Sequence, residues 1–283
     1  MDRRLTPFNG TVAALSLAGQ VDAPRFTAGE PRSVTTPLTD LLATPTGPRD
    51  RQLLKGTQVT VFEDRDGLSF LQSARDGYCG WAATAALGPL QTPTHLVATR
   101  ATHIYRDEDI KSPDLAHLSF GAQVTVTNER RKFWETPNGF IPKPALRPLD
   151  KPFRDPVTVA QLHFGTPYLW GGNSVLGIDC SGLVQAALLA CAVPCPGDSD
   201  LQRSIGTEAT GDPRRGDLWF WKGHVAMVVD ADTLIHANAH HMATAYEPLR
   251  NAPLRIEAQG DGPVIARRRV SDHVPEELES QRG

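Results

Sequence analysis

The sequence predicts an α+β chain in which two small β-barrels precede a domain built from a helix and a strand meander. Three observations carry this reading. Short apolar runs separated by turn residues recur from about Leu38 to Leu146. The segment Arg147–Pro156, with prolines at 148, 152 and 156 amid charge, then reads as a linker. Beyond it, a largely apolar helical run at Cys180–Ala192 is followed by three strand-like runs. Helices and strands segregated along a chain mark an α+β architecture.

Residues 1–37 are expected to form an N-terminal segment packing on the body. Arg3–Arg4 ahead of Thr11–Gly19 imitates an export signal, but the apolar part is short, includes Thr11 and Ser16, and follows Pro7, Asn9 and Gly10. With no clean small-residue cleavage site before the polar run Gln20–Arg25, a signal peptide is not expected.

The first barrel is expected over residues 38–92. Gln58–Glu63 alternates, Phe70–Ser73 follows Asp66-Gly67, and Tyr78–Ala82 follows Asp76-Gly77. Asp-Gly between apolar runs is a strong tight-turn signal, because glycine accepts the backbone the turn requires. The same rhythm recurs over 93–150 in Thr94–Arg100, His103–Tyr105, Ala122–Glu129, Lys132–Glu135 and, after Asn138-Gly139, Phe140–Pro142. Both halves close on a turn followed by an aromatic, DGYCGW and NGF. Two all-β modules of roughly 55 residues each fit this spacing.

The domain expected over 151–270 begins with a short helix at Val157–Phe164. The Cys180–Ala192 helix carries Gly182 in its first turn. Strands are expected at Asp217–Trp221, His224–Val229 and Thr233–Ala237, separated by Lys222-Gly223 and Asp230–Asp232. Residues 271–283 form a charged tail expected to fray.

Composition excludes several function classes. With 29 Lys+Arg against 32 Asp+Glu, the net charge of −3 offers no global field for nucleic acid or an anionic membrane, so neither is expected as a partner. No apolar stretch approaches the roughly 20 residues that would span a bilayer. Four cysteines, at 79, 180, 191 and 195, are too sparse for a disulfide framework in 283 residues, which fits a reducing cytoplasm.

Chemistry concentrates in Tyr168-Leu-Trp-Gly-Gly-Asn-Ser-Val-Leu-Gly-Ile-Asp-Cys180-Ser-Gly-Leu, a Gly- and Asn-rich loop running into a cysteine at a helix start. Unpaired N–H groups and the positive end of the macrodipole stabilise a thiolate there, and the same N–H groups can receive an oxyanion. A nucleophilic thiol needs a base, and the base an orienting partner. His224 opens a strand after Lys222-Gly223, and His236 lies in the next strand, within Leu-Ile-His-Ala-Asn. Neighbouring strands run about 4.8 Å apart, so such side chains can meet. Cys180, His224 and His236 then read as nucleophile, base and orienter.

The motifs PYLWGG…DCSGLVQ, RGDLWFWKGHVAMVVD and LIHANAHHM, in this order over Val157–Glu247, resemble the NlpC/P60 family of papain-like cysteine peptidases. The resemblance implies a papain-like catalytic domain with Cys180 as nucleophile, His224 as base, His236 as the orienting residue and Tyr168 as the tyrosine beside the nucleophile. The β modules look like bacterial SH3 domains, mainly through DGYCGW. A finer likeness is to the γ-D-glutamyl-L-diamino acid endopeptidases of murein-peptide recycling, which require a free N-terminal L-Ala. In Pro196-Gly-Asp198-Ser-Asp200-Leu-Gln202, Asp198 falls on their amine-binding position, although Gly197 departs from the usual Arg. Tyr78 matches a tyrosine that walls off the site, and Ser181 is a further candidate for holding the amine.

Plainer readings stand beside these. Cys191 reads as helix core, Cys195 and Cys79 as packing, and neither of the latter forms a C-x-x-C pair, so no metal site is expected. His240-His241 are read as adjacent residues of a strand, supporting the fold. Asp198 reads also as a solvated loop carboxylate, and Tyr78 also as barrel packing. Gly171-Gly172 matches neither phosphate-loop pattern. The resulting expectation is a cofactor-free, cytoplasmic cysteine peptidase, a monomer, acting on small murein peptides. The rival expectations are a secreted or periplasmic hydrolase of intact wall, and an acyltransferase or idle binding module on the same fold.

Overall fold

Alternation along two adjacent strands explains the first β module. Phe70 and Leu71, and likewise Trp81 and Ala82, are chain neighbours whose side chains leave opposite faces of the sheet. Leu71 and Ala82 join Val34, Leu41, Leu53, Val59, Val61 and Tyr78 in one apolar core. Phe70 and Trp81 join Phe62 and Cys79 in another, covered by Val12 and Ala14 of the N-terminal segment. In the computed structural model, which describes residues 1–270, this module is a seven-stranded sheet. Its order is Arg49–Leu54, Leu38–Leu42, Cys79–Ala83, Leu68–Ser73, Gln58–Arg65, Glu30–Val34 and Leu87–Pro89.

The Asp66-Gly67 turn forms as expected. Both residues take positive φ, 52° and 79°, the backbone of a type I′ hairpin, and Arg65 pairs with Leu68 across it. The module starts earlier than residue 38, because Glu30–Val34 pairs with both Gln58–Val61 and Leu87–Pro89.

Residues 95–148 form two further sheets. One is five-stranded, in the order Asp114–Ser119, Ala101–Tyr105, Gly139–Pro142, Phe133–Thr136, Asn128–Glu129; the other joins Gln123–Val124, His95–Val97 and Leu146–Pro148. Their core holds Val97, Ile104, Leu118, Val124 and Ile141, with Leu54 contributed by the first module. The second hairpin turn falls one residue earlier than expected. Thr136 pairs with Gly139, so the loop is Pro137-Asn138.

The chain divides into two compact units, one comprising Met1–Lys151 with Trp170–Val175, the other Pro152–Leu169 with the residues from Leu176 onward. Within the first unit, the Arg49–Leu54 strand fastens the 170–175 segment. Arg49 Nη2 donates to the Trp170 carbonyl at 3.0 Å. Arg51 Nη2 donates to Asn173 Oδ1 at 3.1 Å, and the Asn173 amide donates to Gln52 Oε1 at 3.2 Å. Gly171 has φ +71°, and a Cβ there would lie 2.6 Å from the Asp50 carbonyl oxygen. Gly171, the first of the Gly-Gly pair, is therefore required by close backbone approach.

The second unit opens with α1 (Pro156–Gln161), capped by Asp155, whose carboxylate accepts from the Val157 amide. The apolar helix follows as α2 (Cys180–Ala190), buried nearly all round as a central helix must be. It packs against α1 and against the strands His224–Val228 and Thr233–Asn238. The sheet has six antiparallel strands, in the order Thr207–Glu208, Ala266–Arg269, Leu218–Trp221, His224–Val228, Thr233–Asn238 and Ala243–Pro248. Trp219, Trp221, Ala226, Val228 and Leu234 pack with Leu249 and with Ala252 and Ile256 of α4 (Ala252–Ile256). The expected meander is present, extended by Ala243–Pro248 and by the arginine-rich strand Ala266–Arg269. The latter is seated by Arg267, whose guanidinium lies 4.1 Å from the Trp219 ring centre, and by Arg269, which forks onto Asp217. The charged tail expected at 271–283 lies outside the described residues.

Replacing Gly171 with alanine forces a Cβ onto a backbone carbonyl in a left-handed conformation. A loss of about 1–3 kcal/mol is expected, visible as a lowered midpoint in thermal or urea unfolding. Gly172→Ala, made beside it, is the comparison.

Candidate active site

The site begins with a helix cap. Asp179 is extended (φ −98°, ψ 177°), and its Oδ1 accepts from the Gly182 amide at 2.6 Å and from the Ser181 hydroxyl at 2.9 Å. This satisfies an otherwise orphaned N–H and fixes the first turn, which is where Cys180 sits. Cys180 is 6% exposed, and its Sγ lies 4.0 Å from the Gly223 carbonyl oxygen. Burial, and secondarily the Asp179 carboxylate, push its pKa up to about 12, against the backbone amides of Val225, Ser181 and Cys180 itself. The helix start was expected to populate the thiolate. Desolvation outweighs the amides, so the resting group is a thiol whose proton must leave to a nearby base.

His224, the base expected from sequence, is placed by a two-residue turn. Trp221 pairs with His224 across Lys222-Gly223, Gly223 taking φ +73°. Both neighbours of His224 thus touch the sulfur's surroundings, Gly223 through its carbonyl and Val225 through its amide. Register sets the next step. Met227 pairs with Ile235 and Val228 with Leu234, so His224 and His236 are diagonal neighbours on one face, within reach of long side chains. His224 Nε2 and His236 Nδ1 are 2.9 Å apart. His236, fully buried, places Nε2 3.0 Å from Glu247 Oε2. Arg255 of α4 donates from Nε to Oε1 and from Nη2 to Oε2 of Glu247, both at 2.7 Å.

The electrostatics follow from burial. Burial, with the charges of His236 and Arg255 adding, lowers the His224 pKa to about 3, against the opposing pull of Glu247. Burial likewise lowers His236, opposed by its hydrogen bond to Glu247. Burial alone would raise Glu247, but the hydrogen bonds from Arg255 and His236 outweigh it and hold the carboxyl well below the usual carboxylate range.

The second unit brings together most of the residues expected from sequence. Tyr168 is half-buried, bridged to Ile178 two residues before Cys180. Burial, then the proximity of Cys180 and Asp179, push its phenol up to about 12. Asp198 is half-buried at the start of α3 (Ser199–Gln202), without a side-chain cap bond to that helix. Its loop is fastened to α2 by buried Gln202, whose Nε2 donates to the Ser181 carbonyl at 2.9 Å and to the Pro196 carbonyl at 3.0 Å. The Ser181 hydroxyl is turned toward the Asp179 cap.

Tyr78 belongs to the first unit. It is 2% exposed in the core of the first module, with the Arg51 guanidinium 5.7 Å from its ring centre. His240 and His241 sit in the exposed turn between the last two meander strands rather than within a strand, and His241 Nδ1 is bonded to Asn238. Sequence reasoning passed over Asp179, Gln202, Glu247 and Arg255. The signal for Asp179 was present, as an Asp directly before a helical run. Ligand atoms of His236, His241 and Glu247 lie within 4.8 Å of one another. Arg255 occupies both oxygens of Glu247, and both His236 nitrogens are hydrogen-bonded, so these donors are already engaged.

Comparison with known proteins matches residues 165–255 to the NlpC/P60 family and residues 41–87 to the bacterial dipeptidyl-peptidase SH3 domain. A relative from Lysinibacillus sphaericus named dipeptidyl-peptidase 6 is 40% identical over 89 residues, which is 30% of this chain and 33% of its own length. One from Bacillus cereus, named gamma-D-glutamyl-L-lysine dipeptidyl-peptidase, is 26% identical over 245 residues, 74% of this chain and 72% of its own. The match thus spans one third of the first relative and nearly three quarters of the second. A solved structure of an NlpC/P60 family protein from Bacillus cereus shares the fold with a TM-score of 0.73 at 20% identity, over 85% of this chain and 99% of that one.

The lowered histidines make stability pH-dependent with a definite sign. Unfolded histidine binds a proton near pH 6.5, whereas His224 in the fold stays neutral down to about 3. The unfolded state therefore holds more protons below pH 6.5, and stability falls with pH. Between pH 6.5 and 4.5 the decline should reach at most about 1.4 kcal/mol per pH unit for each histidine. Urea midpoints across this window check it, and His224→Asn should flatten the slope.

Proposed function

This chain belongs to the NlpC/P60 family, with a bacterial SH3 domain ahead of the catalytic domain, and we propose that it hydrolyses the γ-D-glutamyl–diamino acid bond of murein peptides bearing a free N-terminal L-Ala. The observation that carries this reading is the thiol at a capped helix start, its sulfur set against the backbone of Gly223 and Val225, while His224 between them is hydrogen-bonded to a second, fully buried histidine. The names of the Bacillus relatives supply the substrate class.

In this mechanism the Cys180 thiol passes its proton to His224, and the thiolate attacks the γ-carbonyl carbon of D-Glu. The new oxyanion is received by backbone N–H groups at the start of α2. Collapse breaks the C–N bond, and His224 returns the proton to the departing amine of the diamino acid. His224 then takes a proton from water as the hydroxyl attacks the thioester, releasing L-Ala-γ-D-Glu and the thiol. His236 holds His224 in orientation, and the Tyr168 hydroxyl stands beside the reacting sulfur. Asp198 pairs with the ammonium of L-Ala, with Ser181 as a second candidate contact. A carboxylate matched to a chain terminus favours an ammonium and rejects a peptide that continues upstream. The steps need water and no metal or organic cofactor.

We further place the activity in peptide recycling inside the cell, on small peptides rather than nucleic acid or membrane, and read residues 93–150 as a second SH3-like barrel. A net charge of −3 suits a zwitterionic peptide better than an anionic polymer. All four cysteines are free, as a reducing compartment would keep them.

Wild type should release L-Ala-γ-D-Glu from L-Ala-γ-D-Glu-L-Lys or its diaminopimelate counterpart, read by mass spectrometry. Cys180→Ala should lose activity by a factor on the order of 10⁴ or more; equal release by both proteins sinks the nucleophile. N-acetylating the substrate, or Asp198→Asn with free substrate, should lower kcat/KM roughly 10- to 100-fold, the worth of a charge-assisted contact. Transfer of the acyl group to an added amine in preference to water would make the chain an acyltransferase instead.

A further inference from the structure

We propose that Glu247, clamped by Arg255, is a positioning residue that selects which nitrogen of His224 serves as the base. The inference rests on the cysteine-peptidase reading, since it assigns the proton acceptor of that chemistry. Neither residue belongs to the expected nucleophile, base and orienter.

One chain of hydrogen bonds links Arg255 to His224. The guanidinium of Arg255 meets the Glu247 carboxylate through two parallel N–H bonds of 2.7 Å, the geometry that best holds a carboxylate ionised. Arg255 is itself held, donating from Nη1 to Gln259 Oε1 at 2.6 Å. An ionised carboxylate only accepts, so across the 3.0 Å contact His236 Nε2 must be the donor. A neutral imidazole carries one N–H, which leaves His236 Nδ1 bare. Across the 2.9 Å contact, His224 Nε2 must then donate. The lone pair of His224 is thereby left on Nδ1, which no hydrogen bond among the described residues engages. One buried charge thus fixes two tautomers in series and leaves a single nitrogen free to take the thiol proton.

The surroundings leave His236 no other partner of comparable strength. It is 0% exposed, so water does not compete for either nitrogen. The titratable and charged groups that face it are His224 from the neighbouring strand, Glu247 from the strand on its other side, Arg255 from α4 and His241 from the turn. Glu247 alone among these is negative. When His224 becomes an imidazolium, the same carboxylate supplies the opposing charge through His236. Register explains why position 247 reaches. Leu234 pairs with Glu247 and His236 with Ala245, making Glu247 and His236 diagonal neighbours on one face.

A purely structural Arg–Glu clamp would hold α4 to the sheet and leave the imidazoles indifferent to its charge. The variant that separates the two roles is Glu247→Gln. With Arg255 taking the amide oxygen, the amide NH₂ faces His236 Nε2 and inverts both tautomers, so that His224 presents N–H where a lone pair is required. A wrong tautomer two imidazoles from the carboxylate should lower kcat by a factor on the order of 10², with KM within about twofold. The pH midpoint for alkylation of Cys180 by iodoacetamide should rise by about one pH unit. Arg255→Gln leaves the carboxylate as acceptor, so it should lower the melting temperature and lower kcat by at least tenfold less than Glu247→Gln does. A folded Glu247→Gln protein with unchanged kcat and alkylation profile overturns the proposal, as does an equal kcat loss in both variants.

Wild type provides a test that no folding defect can obscure. The ¹⁵N shifts of its histidines at pH 7 should show both His224 and His236 protonated at Nε2, and an Nδ1–H form of either overturns the assignment. Neither the alkylation nor the shifts involve a peptide. If they come out as expected while L-Ala-γ-D-Glu peptides go uncleaved, the substrate reading fails and the positioning role stands.

Discussion

A thiol and two imidazoles taken out of water set the terms for everything around them. Desolvation penalises each charged form singly, raising Cys180 to about 12 and lowering His224 to about 3. Charge is therefore favoured in pairs, by a proton moving a short way between neighbouring groups, two of them buried and His224 half-buried. The neighbouring polar residues answer the same constraint. Asp179 meets the orphan amide of Gly182 and the Ser181 hydroxyl, Gln202 the carbonyls of Ser181 and Pro196, and Glu247 the inner imidazole. Each is buried, and each makes these hydrogen bonds inside the protein, as buried polar groups tend to.

Much of this was legible in the sequence because it rests on local rules. Asp66-Gly67 signals its hairpin whatever surrounds it. A glycine at 223 between two apolar runs marks the turn that presents His224. The apolar run from Cys180 to Ala190 announces a buried helix through composition alone. Asp198 was singled out through a motif, and the structure adds a contact the motif does not describe. Gln202, four residues on, ties that loop to the turn carrying Cys180.

What escaped the sequence depends on registers no local pattern encodes. Glu247 becomes a partner of His236 only because Ala243–Pro248 pairs in one register out of several, and Arg255 joins only because α4 folds back over that face. Ala266–Arg269 has four residues of which three are arginine, a composition that reads as exposed surface. It becomes a strand because Trp219 and Asp217 receive two of those side chains, the arginine stem covering the ring while the head stays polar. Gly171, which fits no phosphate-loop pattern, is a point of contact between backbones.

The position of that arginine strand also bears on how the chain comes to be folded as it is made. Ala266–Arg269 does not lie at the rim of the sheet; it separates Thr207–Glu208 from Leu218–Trp221. Every other strand of the sheet is synthesised before it, yet Thr207–Glu208 has no partner in the sheet until it arrives. At the pace of translation, about 5–20 residues per second, the stretch from Cys180 to Arg269 occupies the ribosome for several seconds. Through that interval the nascent domain holds an incomplete sheet with the flank of Leu218–Trp221 unpaired. The last of these strands to emerge is thus a stitch closing a seam, held in place by Trp219 under Arg267 and Asp217 under Arg269.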